Sequence, residues 1–304
     1  MTTQATAYFR SMLYVPGDDD RKLAKADGCG ADAVVLDLED SVAPANRPGG
    51  RKKVRAFLDA RPPEARSYQL WVRINALDES ALDDLVAVVG GRPDGIVLPK
   101  IDGPPDIHQL SLYLDALETR EAVPPGSIKI CAVATETPAA VLKLHQFADA
   151  HLPRLVALNW GAEDLSAAVG ASTNLDSSGR WALTYRWARS AVMLAAKAAG
   201  VQAIDTVYVD YRDTEGLIRA SRESATEGFT GRVAIHPAQV GPINEVFMPS
   251  EHDVRLAQSI VDAFAGNEGV GVVGIDGKMF DIPHLKRAHL VLEKHARFSG
   301  DPAR

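Results

Sequence analysis

Eight short runs of β-branched and aliphatic residues recur along most of this 304-residue chain, separated by stretches with helical spacing. They are MLYV (12–15), AVVLDL (33–38), LWVRI (70–74), GIVL (95–98), IKICAV (128–133), LVALN (155–159), QAIDTVYV (202–209) and RVAI (232–235). The spacers include a short charged segment from Asp20 to Cys29, a stretch from Glu79 to Val89 with apolar Leu82, Leu85, Val86 and Val89, and a helical repeat from Thr184 to Ala199. Strands alternating with helices imply parallel βαβ units. Eight units in about 240 residues are the expectation for a (β/α)8 TIM barrel of typical size, with a doubly wound open sheet as the competing arrangement.

Beyond Pro237 the pattern changes to helical segments, Glu251 to Ala265 and Leu285 to Phe298, on either side of a glycine-rich stretch from Gly266 to Gly277. The expected organisation is therefore a barrel over residues 1–248 and a C-terminal helical extension over 249–304. A hydrophobic content of 46% supports a large core in either arrangement. The formal charge of −7, with no block of like charges, argues against a nucleic-acid partner. The opening MTTQATAYFRSM has no basic segment leading into an apolar one. Nor does any apolar run reach the roughly 18 residues of a membrane span. Cys29 and Cys131 sit among apolar neighbours without zinc-ligand spacing and read as reduced core thiols. Together these features suggest a soluble cytoplasmic protein.

In a barrel of this kind the active site lies at the C-terminal ends of the strands, and here nearly every run ends in polar residues. Asp18 follows the first, Asp37, Glu39 and Asp40 the second, Arg73 and Asn75 the third, Lys100 the fourth, Glu136 the fifth, Glu163 and Asp164 the sixth, Asp205 to Asp210 the seventh, and His236 the eighth. So many carboxylates at one mouth repel unless something compensates them. Hard oxygen donors with few histidines favour Mg²⁺ or Mn²⁺, which commonly takes one or two protein carboxylates plus substrate oxygens and water. Glu136 and Asp164 form the candidate ligand pair. Asp40 and Glu163 serve equally well as helix-capping acids. Arg73 suits a bidentate contact with a substrate carboxylate, or an internal salt bridge to Asp37 or Glu39. Lys100 is placed where a Schiff base could form, and His236 is either a functional group or a histidine held by its neighbours.

Nine segments, in order, resemble the citrate lyase beta-subunit and malyl-CoA/citramalyl-CoA lyase family within the HpcH/HpaI aldolases. They are RSMLYVPG (10–17), GADAVVLDLEDSV (30–42), VRIN (72–75), IVLPK (96–100), TET (135–137), GAEDL (161–165), ARSAVMLAAKAAGVQAID (188–205), GFTGRVAIHPAQV (228–240) and GKMFDIP (277–283). The resemblance implies a metal-dependent carbon–carbon lyase acting on a 3-hydroxyacyl-CoA, giving acetyl-CoA and a 2-oxo acid, in a homotrimer or hexamer. It implies Mg²⁺ on Glu136 and Asp164, and substrate held by Arg73 with Glu136, Asp37, Glu39 and Asp40 around it. It also implies coenzyme A against Tyr14, Arg21 and Lys25, with Ile235 and His236. Asp281 would act as catalytic acid or base from the C-terminal segment of a neighbouring subunit. The chain departs from the common pattern at Ala134 and at Trp160, so the acyl group is not fixed by resemblance. A thioesterase on the same thioesters and a citrate lyase subunit acting on an acyl carrier protein are the rival readings.

Overall fold

The computed structural model describes residues 8–267 and 269–299. The strands β1 (Ser11–Pro16), β2 (Ala33–Asp37), β3 (Gln69–Arg73), β4 (Gly95–Leu98), β5 (Lys129–Val133), β6 (Leu155–Asn159), β7 (Gln202–Asp205) and β8 (Gly231–Ala234) pair in sequence order. They are parallel throughout, and β8 closes on β1, forming a (β/α)8 barrel. The open-sheet alternative is thereby excluded. Between the strands lie α1 (Asp20–Ala24), α2 (Arg47–Asp59), α3 (Ala81–Val88), α4 (Pro104–Arg120), α5 (Pro138–Lys143), α6 (Ala162–Ala168), α7 (Leu183–Ala198) and α8 (Thr214–Glu227).

Local chemistry sets several of these boundaries. The Asp19 carboxylate caps α1 through the Arg21 and Lys22 amides. Thr137 caps α5, with Pro138 at the first helical position where its missing N–H costs nothing. Asp213 opens α8, and Gly228, in the left-handed region at φ 113°, ends it. The charged spacer forms a helix only over Asp20–Ala24, and left-handed turns at Gly28 and Gly30 lead into β2. Cys29 lies in that turn and is only half-buried, unlike the core thiol expected there. Cys131 is fully buried, and burial pushes its thiol up to about 12, leaving an inert core group.

Alternate strand residues fill the barrel interior, where Met12, Ala33, Val35, Trp71, Val97, Cys131, Val133, Ala157, Ile204 and Val233 pack together. Trp71 makes one glycine obligatory: a Cβ on Gly95 of the adjacent strand would lie 2.2 Å from its indole. The seventh run is shorter than its composition suggests. Pairing with β8 ends at Asp205, opposite Arg232, and the Asp205 carboxylate turns back to accept from the Thr206 amide.

By internal packing the chain divides into residues 1–244 and 245–304, and α9 (Val240–Val246) spans the division. The C-terminal unit holds α10 (Glu251–Ala265), β9 (Val272–Ile275), β10 (Lys278–Asp281) and α11 (Ile282–Ser299). Ser250 and Asp253 cap α10 reciprocally. The glycine-rich stretch is not merely a linker, because β9 and β10 form an antiparallel hairpin. Its two-residue turn, Asp276–Gly277, has positive φ at both positions, the geometry for which Asp-Gly is favoured. Phe264, Val273, Phe280 and Ala288 form this unit's own apolar core.

Candidate active site

The inward-facing alternation that fills the barrel becomes polar at its C-terminal rim. Asp37, Arg73 and Asn159 each lie two residues beyond a core member of the same strand, namely Val35, Trp71 and Ala157, and so face the same side. With Tyr14, Glu136, Trp160, Glu163, Asp164, Thr206 and Ile235 they line a cavity of about 270 Å³. That volume suits the small acidic end of a ligand and lies below the roughly 300–1,000 Å³ that whole drug-sized ligands need. Two loops meet there: the Thr135 hydroxyl accepts the Gly161 amide at 3.1 Å, tying the segment of Glu136 to the segment of Asp164. Gly161 allows the approach, since a Cβ on it would stand 3.1 Å from the Glu136 side chain.

An ion-pair lattice backs the cavity. Arg73 forks onto Asp37 at 2.7 and 2.6 Å and reaches Glu39 at 2.9 Å. Burial works to raise Asp37, but the Arg73 guanidinium and hydrogen bonds from Ser41 and Glu39 outweigh it and hold the carboxyl below its usual value. Glu39 is moved the other way: burial raises it against the pull of Arg73 and Lys100. Lys100 pairs with Glu39 and Asp40, and its Nζ lies 3.9 Å from Asp164. Glu39 and Asp40 overcome the burial that would lower its pKa and raise it instead. Schiff-base formation requires a neutral amine, so this ammonium is a poor nucleophile. Asp40 serves the lattice through Lys100, and the turn that follows it has Ala43 as its N-cap. The internal salt bridge considered for Arg73 does form, although two of its five N–H groups satisfy Asp37 and others remain for a ligand.

Glu136 is the least compensated acid. It is 3% exposed, and its hydrogen-bond partner is the Lys100 amide, presented from a left-handed residue at φ 51°. Burial first, then the charge of Asp164, pushes its carboxyl up to about 8. Two hard oxygen donors facing each other in this way fit a divalent cation such as Mg²⁺, which needs few protein ligands. Among the described residues there is no group of three or more His, Cys, Asp or Glu side chains arranged for a metal.

The matched segments extend well beyond this rim. Residues 10–237 match the HpcH/HpaI aldolase/citrate lyase family. The chain belongs to that family. Among curated relatives, the mitochondrial citramalyl-CoA lyase of Rattus norvegicus is 33% identical over 93% of this chain and 85% of its own length. The citrate lyase subunit beta of Escherichia coli K12 is 35% identical over 96% and 94%. The L-malyl-CoA/beta-methylmalyl-CoA lyase of Cereibacter sphaeroides is 32% identical over 96% of each. Among solved structures, CitE from Mycobacterium tuberculosis, in complex with magnesium, acetoacetate and coenzyme A, superposes with a TM-score of 0.76. It is 29% identical and covers 96% of this chain and 99% of that one.

The remaining candidate residues of this family member fall in three places. Tyr14 lines the cavity under Arg73, whose guanidinium sits 5.1 Å from its ring, and burial raises its phenol so that it stays protonated. Arg21 and Lys25 are exposed on and just after α1. Ile235 is on the cavity wall, whereas His236 is exposed, stacks on Tyr211 at 4.6 Å and caps the following turn through Nδ1. His236 is therefore held by its neighbours. Asp281 closes β10 in the C-terminal unit, where its carboxylate is 2.5 Å from His284 Nδ1. That hydrogen bond lowers its pKa.

At the rim, Asn159 escaped the sequence reading, and so did the role of Asp205. Asn159 is the polar terminus of an otherwise apolar strand, and its position in LVALN is the signal that marks it. Asp205 stood in a polar run. It is buried in a cage of Arg189, Arg232 and Ser224 and accepts the Trp160 indole N–H at 2.5 Å. With those donors outweighing burial, its carboxyl is held down at about 2. It fixes the wall residue that precedes the Asp164 loop, and no local pattern announces that.

Proposed function

We propose that this chain is a magnesium-dependent carbon–carbon lyase. It would cleave, or in reverse form, a 3-hydroxyacyl-CoA such as citramalyl-CoA or malyl-CoA, giving acetyl-CoA and a 2-oxo acid. The observation that carries this reading is the buried Glu136 carboxylate facing Asp164, with Arg73 on the wall of the same small cavity. Relatives that cleave such thioesters, and a neighbour holding magnesium, acetoacetate and coenzyme A, support it.

Glu136 and Asp164 would hold the metal, which when bound lowers the proton affinity of the substrate hydroxyl. Arg73, itself oriented by Asp37 and Glu39, binds the substrate's acidic end and offsets negative charge as the bond breaks. Asp40 and Lys100 complete the charge balance behind it. The electron pair of the broken carbon–carbon bond passes into the thioester as an enolate, and Asp281 returns a proton to the enolate carbon. In the condensation direction ionised Asp281 removes that proton. Tyr14 and Ile235 guide the pantetheine arm out of the cavity, and the exposed Arg21, Lys25 and His236 meet the nucleotide end of coenzyme A.

The C-terminal segment, residues 249–304, is assigned as a lid that serves a neighbouring subunit of a homotrimer or hexamer. Support comes from the exposed apolar face of α7, where Leu183, Trp187 and Leu194 are 74%, 52% and 62% exposed. Among the described residues no helix is long and apolar enough to cross a membrane. The two free cysteines fit a reducing compartment, and we assign the cytoplasm, although the rat relative is mitochondrial.

The similarity to a citrate lyase subunit favours a second reading, action on a carrier-protein thioester. Mass-spectrometric product analysis with citramalyl-CoA and malyl-CoA, in Mg²⁺ and in EDTA, separates the two. Acetyl-CoA with pyruvate or glyoxylate, formed only with metal, is the expected result. Free CoA with intact hydroxy acid would make the chain a thioesterase, and turnover only on an acyl carrier protein would favour the second reading.

A further inference from the structure

Asn159 ends β6 with its side chain on the cavity wall, beside Glu136, Arg73 and Asp164. It is 4% exposed, and its Oδ1 has no hydrogen-bond partner. Nor does its Nδ2 find one among the described residues. Buried polar groups are ordinarily paired, and one that is not calls for a specific reason. Several neighbouring donors are already partly engaged: Arg73 turns two N–H groups to Asp37 and pairs with Glu39, Lys100 pairs with Glu39 and Asp40, and the Trp160 indole donates to Asp205. No hydrogen bond among the described residues occupies the Asn159 carboxamide, which leaves its N–H available to a ligand.

We propose that Asn159 is a catalytic residue whose Nδ2–H donates to the thioester oxygen of the substrate, where negative charge collects as the carbon–carbon bond breaks. The inference rests on the lyase reading above. In the step concerned, the substrate hydroxyl gives its proton to water and its oxygen becomes the carbonyl of the 2-oxo acid. The bond to the α-carbon breaks, and its electron pair forms the enolate of acetyl-CoA. Asp281 takes that proton up from the water and passes it to the enolate carbon. Asn159 gains and loses no proton. A neutral donor suits this position because it strengthens only as the oxygen becomes anionic, and so acts on the transition state more than on the bound thioester.

Asn159→Ala and the near-isosteric Asn159→Asp test this by steady-state kinetics on citramalyl-CoA, with thermal unfolding measured alongside. Removing one oxyanion donor lowers kcat by roughly 100- to 1,000-fold, with KM changed by less than about threefold. Asn159→Asp, which offers no donor when ionised, falls at least as far. Because Asn159 makes no side-chain hydrogen bond among the described residues, Asn159→Ala keeps or raises Tm. A second readout is exchange of the acetyl-CoA methyl protons in D₂O, which must fall in parallel with kcat. A variant with kcat near that of an active wild type overturns the inference alone, as does a loss that tracks a lowered Tm. A wild type inert toward both CoA thioesters overturns the lyase reading and this inference with it.

Discussion

Glu136 gives the most quantitative prediction. Its carboxyl is held at about 8 in the folded chain against an ordinary value of 4.5. Above pH 4.5 the unfolded chain ionises this group while the metal-free folded chain keeps its proton. The folded state then binds more protons, and its stability falls as pH rises. Each pH unit contributes about 1.4 kcal/mol, so the penalty grows from near zero at pH 4.5 to roughly 3 kcal/mol at pH 7. It levels off on the order of 5 kcal/mol above pH 8. The side chain is almost wholly buried, so solvent screening removes little of this. Glu136→Gln abolishes the titration while retaining shape. In EDTA the variant is therefore expected to match the wild type near pH 4.5 and to exceed it by roughly 3 kcal/mol at pH 7. At about 2–4 °C per kcal/mol, that is a Tm higher by roughly 6–12 °C. Mg²⁺ should raise the wild-type Tm by binding only the folded state and leave the variant nearly unchanged. The assay is thermal unfolding by circular dichroism between pH 5 and pH 9, with and without metal. Parallel wild-type and variant curves in EDTA across that range would refute the burial argument, and a Mg²⁺ response retained by Glu136→Gln would refute the ligand assignment.

The Asp205 cage predicts a purely structural lesion. Asp205→Ala leaves Arg189 and Arg232 buried without their shared partner, at a cost of about 3–5 kcal/mol in urea unfolding, and a loss below 1 kcal/mol would show the cage to be solvated. A shared active site predicts complementation: Glu136→Ala mixed with Asp281→Ala, after verified subunit exchange, regains partial activity. No recovery would place Asp281 in its own subunit's site or outside the chemistry.

Much of this architecture is written in local pattern. The eight apolar runs are the eight barrel strands, and Glu251 to Ala265 is a helix with those same bounds, because strand and helix periodicity are properties of neighbouring residues. The rim acids were legible for the same reason, since a polar residue ending an apolar strand marks the barrel's C-terminal face. Even the hairpin near the C-terminus had its signal in Asp276–Gly277, which overall glycine content obscured.

Partner choice was not legible, and the site depends on it. Whether Arg73 faces Asp37, and whether Lys100 is a nucleophile or a fixed cation, depends on which side chains from separate βα units share a rim once the barrel closes. The same closure traps Glu136 against Asp164, carries Asp205 into its cage of arginines and so ends β7 early, and leaves Asn159 buried with no hydrogen-bond partner among the described residues. The sequence by itself determined the elements, their order and the acidic character of the mouth. Only the tertiary structure decided which of those charges are neutralised, since neutralisation acts over a few ångströms between residues tens of positions apart in the chain.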